Sequence, residues 1–125
     1  MTALKPLRIA AAQLNATVGA VAANLDAALK ARAAMAGKAD LVVFPECFIS
    51  GYPAEDLWLR PAFIDSVHAA VLRLAETQQP GEPGVLIGVP WRGEDGTLYN
   101  AALLLDGGKI AGVTYKHQLP NYSVF

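Results

Sequence analysis

Apolar positions along this chain switch between two periods, one suited to strands and one to helices. Leu7 to Leu14 (LRIAAAQL) reads as a first strand, short and mostly buried, with Gln13 at its end as the first polar group able to face a site. From Val21, the positions Val21, Leu25, Ala28, Leu29 and Met35, joined by the stem of Arg32, recur at helical spacing to Ala36, and Gly37 suits the residue that closes a helix. Leu41 to Phe44 is an unbroken β-rich run of the kind covered on both faces, and Pro45 stops it. Strand, helix and strand in this order predict a βαβ unit with parallel strands.

Proline and two acids at Pro53-Ala54-Glu55-Asp56 suit the first turn of a short helix running toward Arg60. Pro61 restarts the pattern, and Phe63, Ile64, Val67, Ala70, Val71 and Leu74 mark a second amphipathic helix ending near Thr77. Gln78 to Gly84 (QQPGEPG) is a loop. Val85 to Trp91 reads as a third buried strand ended by its proline, Leu98 to Leu105 as a fourth and Lys109 to Tyr115 as a fifth, joined to the fourth by a hairpin at Asp106-Gly107-Gly108. The glycines are assigned to turns. The expected α/β architecture is a mixed sheet with helices Val21 to Ala36 and Pro61 to Thr77 on one face. Its other face is expected to be apolar and uncovered, because buried-type strands outnumber the helices able to cover them.

Composition sharpens this picture. At 125 residues the chain is at most one domain, and 54% hydrophobic residues with a mean hydropathy of +0.31 suggest surface meant for another part of a larger domain. A net charge of −1 offers no electrostatic footprint for nucleic acid or an anionic membrane. Lys5 and Arg8 precede an alanine-rich run, but Gln13 and Asn15 cut it too short for a signal peptide, and no run approaches the roughly 18 apolar residues of a membrane span. A single cysteine excludes an intramolecular disulfide and fits a reducing, cytoplasmic setting. His68 and His117 have no further ligands at metal spacing, and the common phosphate-loop patterns are absent, so no metal site is expected.

Two charged residues at predicted strand ends are the candidates for chemistry. Glu46 follows a buried strand and a proline, among Phe44, Cys47, Phe48, Ile49 and Tyr52, an apolar wrapping that would raise its pKa toward that of a general base. Lys116 leaves the fifth strand among Tyr115, Leu119, Tyr122, Val124 and Phe125, where a partly desolvated ammonium would stabilise developing negative charge. Neighbouring strand ends would bring the two together across 70 residues of sequence. Alone, each has an ordinary reading, a solvated loop carboxylate and an edge charge. Cys47 reads as a packing residue, since its neighbour Glu46 points the other way in an extended segment.

FPECFISGYPAEDL and YKHQLPNYSVF together resemble the N-terminal amidase domains of the glutamine-dependent NAD+ synthetase family, a branch of the nitrilase (carbon-nitrogen hydrolase) superfamily. The first motif looks like the superfamily's signature and the second is similar to the form of the synthetase branch. The resemblance implies an α-β-β-α sandwich, here its N-terminal half. It implies Glu46 as the base that takes a thiol proton, Lys116 as the cation that stabilises the oxyanion, and Tyr122 as a contact for glutamine. It also implies a nucleophilic cysteine beyond Phe125, so that residues 1–125 alone are expected to be inactive. Ammonia from glutamine would pass to a C-terminal synthetase domain that uses ATP with magnesium to amidate nicotinic acid adenine dinucleotide. The amidase part itself would need no cofactor, and the parent protein is expected to be a homo-oligomer. Two other readings stand beside this one: a stand-alone nitrilase-type amidase acting on another small amide, and a non-enzymatic α/β interaction module.

Overall fold

Val85, Ile87 and Val89 of one strand are fully buried, while Leu86 and Gly88 between them are only partly covered. That alternation marks a sheet dressed on one face only. The computed structural model of the protein describes residues 4–52 and 54–116. In chain order its elements are β1 (Ile9–Ala11), α1 (Val21–Ala34), β2 (Leu41–Val43), α2 (Glu55–Trp58), α3 (Pro61–Glu76), β3 (Gly84–Arg92), β4 (Leu98–Asp106) and β5 (Lys109–Tyr115). The strands lie in the order β1-β2-β3-β4-β5, with β1, β2 and β3 parallel and β3, β4 and β5 antiparallel. The sheet is therefore mixed, as expected, and the α1 crossover between β1 and β2 completes the βαβ unit.

Amphipathic α3 supplies most of the cover. Its buried stripe of Ile64, Val67, Ala70, Val71, Leu74 and Ala75 packs on β3, β4 and β5 and on α1. Burial of such a stripe contributes about 1.5–3 kcal/mol for each large side chain. In α1 the deepest positions are Asn24, Ala28 and Arg32, whereas Val21, Leu25, Leu29 and Met35 are half-buried at its flanks. Polar atoms explain this shift. Asn24 donates to the carbonyls of Thr17 (2.8 Å) and Ile49 (2.9 Å) and accepts the Thr17 N–H (2.9 Å), so it staples the loops before α1 and after β2. Arg32 buries its whole side chain, donating to the Leu74 carbonyl and to Thr77 Oγ1 (3.2 Å), with Nε 3.2 Å from Glu82 Oε1 though not aligned as a hydrogen bond.

Three strand expectations are corrected. β1 is three residues long and Ile9 is 57% exposed, because β1 is the edge strand among the described residues and Ile9 points to the sheet face away from the helices. β2 is covered on one face, with Val42 buried and Leu41 and Val43 half-buried. β3 continues through Pro90, which pairs with Asn100. Even-numbered residues of β3 aim their backbone polar groups at the β2 side, as the bonds Gly84 N–H to Asp40 O (3.0 Å), Phe44 N–H to Leu86 O (2.9 Å) and Phe48 N–H to Gly88 O (3.0 Å) show. The donor that Pro90 lacks would point past the end of β2, so the β3–β4 ladder loses nothing.

Ile9, Ala11, Leu41, Val43, Leu86 and Leu104 line the face that no helix covers among the described residues. All are half-buried or exposed. No helix among the described residues is long and apolar enough to cross a membrane.

Candidate active site

A strand spacing of about 4.8 Å puts β2 and β5 three spacings apart, about 14 Å, with β3 and β4 between them. Their ends are not neighbours, contrary to the expectation from sequence, and both nevertheless point to the same edge of the sheet. Glu46 reaches Lys116 because the segment after β2 crosses the open face of β3. It crosses at Gly88, where an added Cβ would lie 2.8 Å from Glu46 Cα and 2.9 Å from Cys47 N. Only a residue without a side chain admits a backbone that close. Gly88 is thus a strand glycine with a packing purpose, and the assignment of the glycines to turns fails there.

The crossing segment is held from several sides. Phe48 donates its N–H to Gly88, the Ile49 carbonyl accepts from Asn24, and the Ser50 carbonyl accepts the Gly19 N–H (2.9 Å). Trp58 Nε1 donates to Ser50 Oγ (3.0 Å). Cys47, Phe48, Ile49 and Ser50 are all buried, and Cys47 takes φ +52°, a left-handed conformation rare for a residue with a side chain. Such a segment is fixed by its surroundings before any ligand arrives.

At its apex Lys116 Nζ lies 3.2 Å from Glu46 Oε1. The two side chains are 44% (Glu46) and 41% (Lys116) exposed, so the apolar wrapping expected around Glu46 is turned inward: Phe44, Cys47, Phe48 and Ile49 fill the core instead. The backbone N–H of Lys116 donates to the Asn100 carbonyl (2.9 Å), which fixes the exit of β5 against β4. Asn100 Nδ2 donates to Glu46 Oε1. Sequence reasoning passed over this residue. A polar side chain inside the apolar run of β4 was the available signal.

Glu46 separates two hollows. One, of about 360 Å³, lies on the open sheet face and is lined by Val43, Glu46, Leu86, Ala102, Thr114 and Lys116 among others; the second, of about 310 Å³, is lined by Leu14, Asn15, Ala16, Pro45, Phe48 and Tyr52 as well as Glu46. Gln13 does not reach either and borders a separate groove between β1 and α1. Tyr122, like the rest of the collar expected beyond Lys116, lies outside the described residues. The thiol of Cys47 is sealed, and burial, reinforced by the charge of Glu46, pushes its pKa up to about 12 against the opposing pull of Lys116. It packs rather than reacts. Among the described residues no three His, Cys, Asp or Glu side chains cluster as metal ligands.

A family model described as carbon-nitrogen hydrolase matches residues 8–124. The chain belongs to the carbon-nitrogen hydrolase family. Among curated relatives it is 45% identical over 119 residues to the glutamine-dependent NAD(+) synthetase of Rhodobacter capsulatus, covering 94% of this chain and 21% of that protein. With the enzyme of the same name from Thermotoga maritima it is 42% identical, covering 98% and 21%. The chain thus spans about a fifth of the length of these relatives. The structure of glutamine-dependent NAD+ synthetase from Acinetobacter baumannii in complex with ADP superposes with a TM-score of 0.83 at 36% identity, over 95% of this chain and 22% of that one. An amidase from Nesterenkonia superposes with a TM-score of 0.76 at 22% identity, over 93% and 44%, a likeness of fold alone. These carbon-nitrogen hydrolase neighbours agree with the nitrilase-like fold expected from the motifs, of which this chain supplies a mixed sheet with helices on one face.

Proposed function

We propose that this carbon-nitrogen hydrolase chain carries the base and the oxyanion-stabilising cation of a glutamine amidase, the ammonia-producing part of a glutamine-dependent NAD+ synthetase. The contact of Glu46 with Lys116 carries this reading: two charges 70 residues apart meet at a hollow, on a scaffold whose curated relatives bear that name.

Glu46 accepts the proton of a cysteine thiol, and the thiolate attacks the side-chain carbonyl carbon of glutamine. Lys116 stabilises the oxyanion so formed. When the carbon-nitrogen bond breaks, the proton held by Glu46 leaves with the nitrogen as ammonia, and a thioester remains. Water, deprotonated by the same carboxylate, cleaves the thioester to glutamate and restores the thiol. The nucleophile is assigned outside residues 1–125, since the single thiol in them is sealed. Tyr122 is assigned to glutamine binding. The ammonia passes to a synthetase portion of the parent protein that uses ATP with magnesium, in a cytoplasmic homo-oligomer.

In the intact natural protein, Glu46→Gln and Lys116→Met are each expected to lower ammonia release from glutamine by about 10² or more, the usual scale for losing a general base or an oxyanion donor. Added ammonia restores NAD+ formation in both. Residues 1–125 alone release no ammonia from glutamine, and Cys47→Ser changes nothing. Thiol-dependent release by the 125 residues that disappears in Cys47→Ser would refute this assignment of roles.

A further inference from the structure

Asn100 sits on the open face of β4 opposite Pro90, yet is only 7% exposed, because the segment carrying Glu46 lies over it. A buried amide keeps a fixed orientation only if both of its ends are satisfied. Here they are. Nδ2 donates to Glu46 Oε1, and Oδ1 accepts from Cys47 Sγ at 3.7 Å. The sealed thiol stays protonated and can only donate toward that oxygen. Flipping the amide would aim Oδ1 at the carboxylate and leave the thiol without an acceptor.

Oε1 of Glu46 thereby receives two donors, Asn100 Nδ2 and Lys116 Nζ, while Oε2 receives none among the described residues. The carboxylate is asymmetric. We propose that Asn100 is a positioning residue for amide hydrolysis: its side-chain amide, oriented by the Cys47 thiol, holds Oε1 of Glu46 beside Lys116 and leaves Oε2 to take up and return the proton. The inference rests on the catalytic reading of Glu46 and Lys116 given above. It also gives the buried cysteine a use, as the donor that decides which end of the amide faces Glu46.

Among the described residues the groups facing Glu46 are few. Lys116 meets it from the end of β5, Cys47 adjoins it in the chain, and Tyr115 and Tyr52 line the hollows on either side; β3 and β4 present Gly88 and Asn100. An N–H donor stabilises the carboxylate form, so its removal favours the neutral acid.

The test is the pH profile of kcat/KM for ammonia release from glutamine, measured on the intact natural protein. Asn100→Leu is expected to move the acid limb up by about one pH unit and to lower kcat/KM near neutrality about tenfold. Asn100→Asp should move the limb further the same way, since it sets a second carboxylate beside Glu46. If Asn100→Leu does not fold, the Cys47 pair decides: Cys47→Ala should raise the limb by less than a unit, and Cys47→Ser, which keeps a donor, should return it to the wild-type position. A purely structural role would lower the amount of active protein without moving the limb. An acid limb at the wild-type position in Cys47→Ala and in folded Asn100→Leu overturns the inference. If Glu46→Gln retains glutaminase activity, the catalytic reading itself fails; if it abolishes activity while the limb stays put, only the role of Asn100 fails.

Discussion

Gly88 shows how an absent side chain can place a charged one. Glu46 is delivered to the β5 end only because its backbone crosses β3 where no Cβ stands in the way. Gly88→Ala is expected to destabilise the protein by about 1–3 kcal/mol, the usual cost of overpacking, and to displace Glu46 from Lys116. A urea midpoint and the ammonia-release assay read the two effects, and an unchanged midpoint would show that the crossing segment yields freely. Glu46 and Lys116 were legible in sequence because a carboxylate after a buried strand and a lysine at a strand exit stand out from their apolar surroundings. Asn100 was not, since its burial comes from a segment 54 residues earlier in the chain.

At the scale of elements, two side chains tie the helices down. Arg32 links α1 to the end of α3 and to the loop before β3, where Glu82 is its charged partner. Removing one member of a buried pair leaves the other uncompensated, so Glu82→Ala should cost about 3 kcal/mol, read as a lowered urea midpoint. A loss under about 0.5 kcal/mol would mean that water reaches the guanidinium. His68 of α3 stacks on Trp91 of β3 with centroids 3.8 Å apart and 11° between planes, and its Nε2 is buried with no hydrogen-bond partner among the described residues. Burial, and then the charge of Arg92, hold its pKa below the ordinary 6.5 against the pull of Asp65. The folded state therefore resists a proton that the unfolded chain accepts. The stability tied to this group is fully present above the unfolded value and is lost as pH falls toward the lower, folded one. The urea midpoint should fall from about pH 7 to about pH 5, and His68→Phe should flatten that part of the slope. Equal slopes in both proteins would assign the effect to other groups.

Over the whole molecule, the feature with most consequence is the uncovered sheet face. Ile9, Leu41, Val43, Leu86 and Leu104 form an apolar run on that face, and the larger of the two hollows at Glu46 opens on it. Residues 1–125 prepared alone should bind a hydrophobic dye such as ANS, and a Leu86→Glu and Leu104→Glu pair should reduce that binding. Dye binding untouched by the pair would place the exposed surface elsewhere.

Period and composition alone determined the elements, their order, the mixed sheet and the helices on one face, because side-chain alternation and helical spacing are local properties of the chain. They also determined which two charges end the strands. Tertiary structure decided what local pattern cannot carry: that Pro90 continues β3 because its missing donor points past β2, that β1 is an exposed edge, and that Gly88 admits the crossing segment. It decided that Cys47 is sealed and that Asn100 faces Glu46. Each of these depends on which backbone lies beside which, and residues far apart in sequence set that only when the sheet assembles.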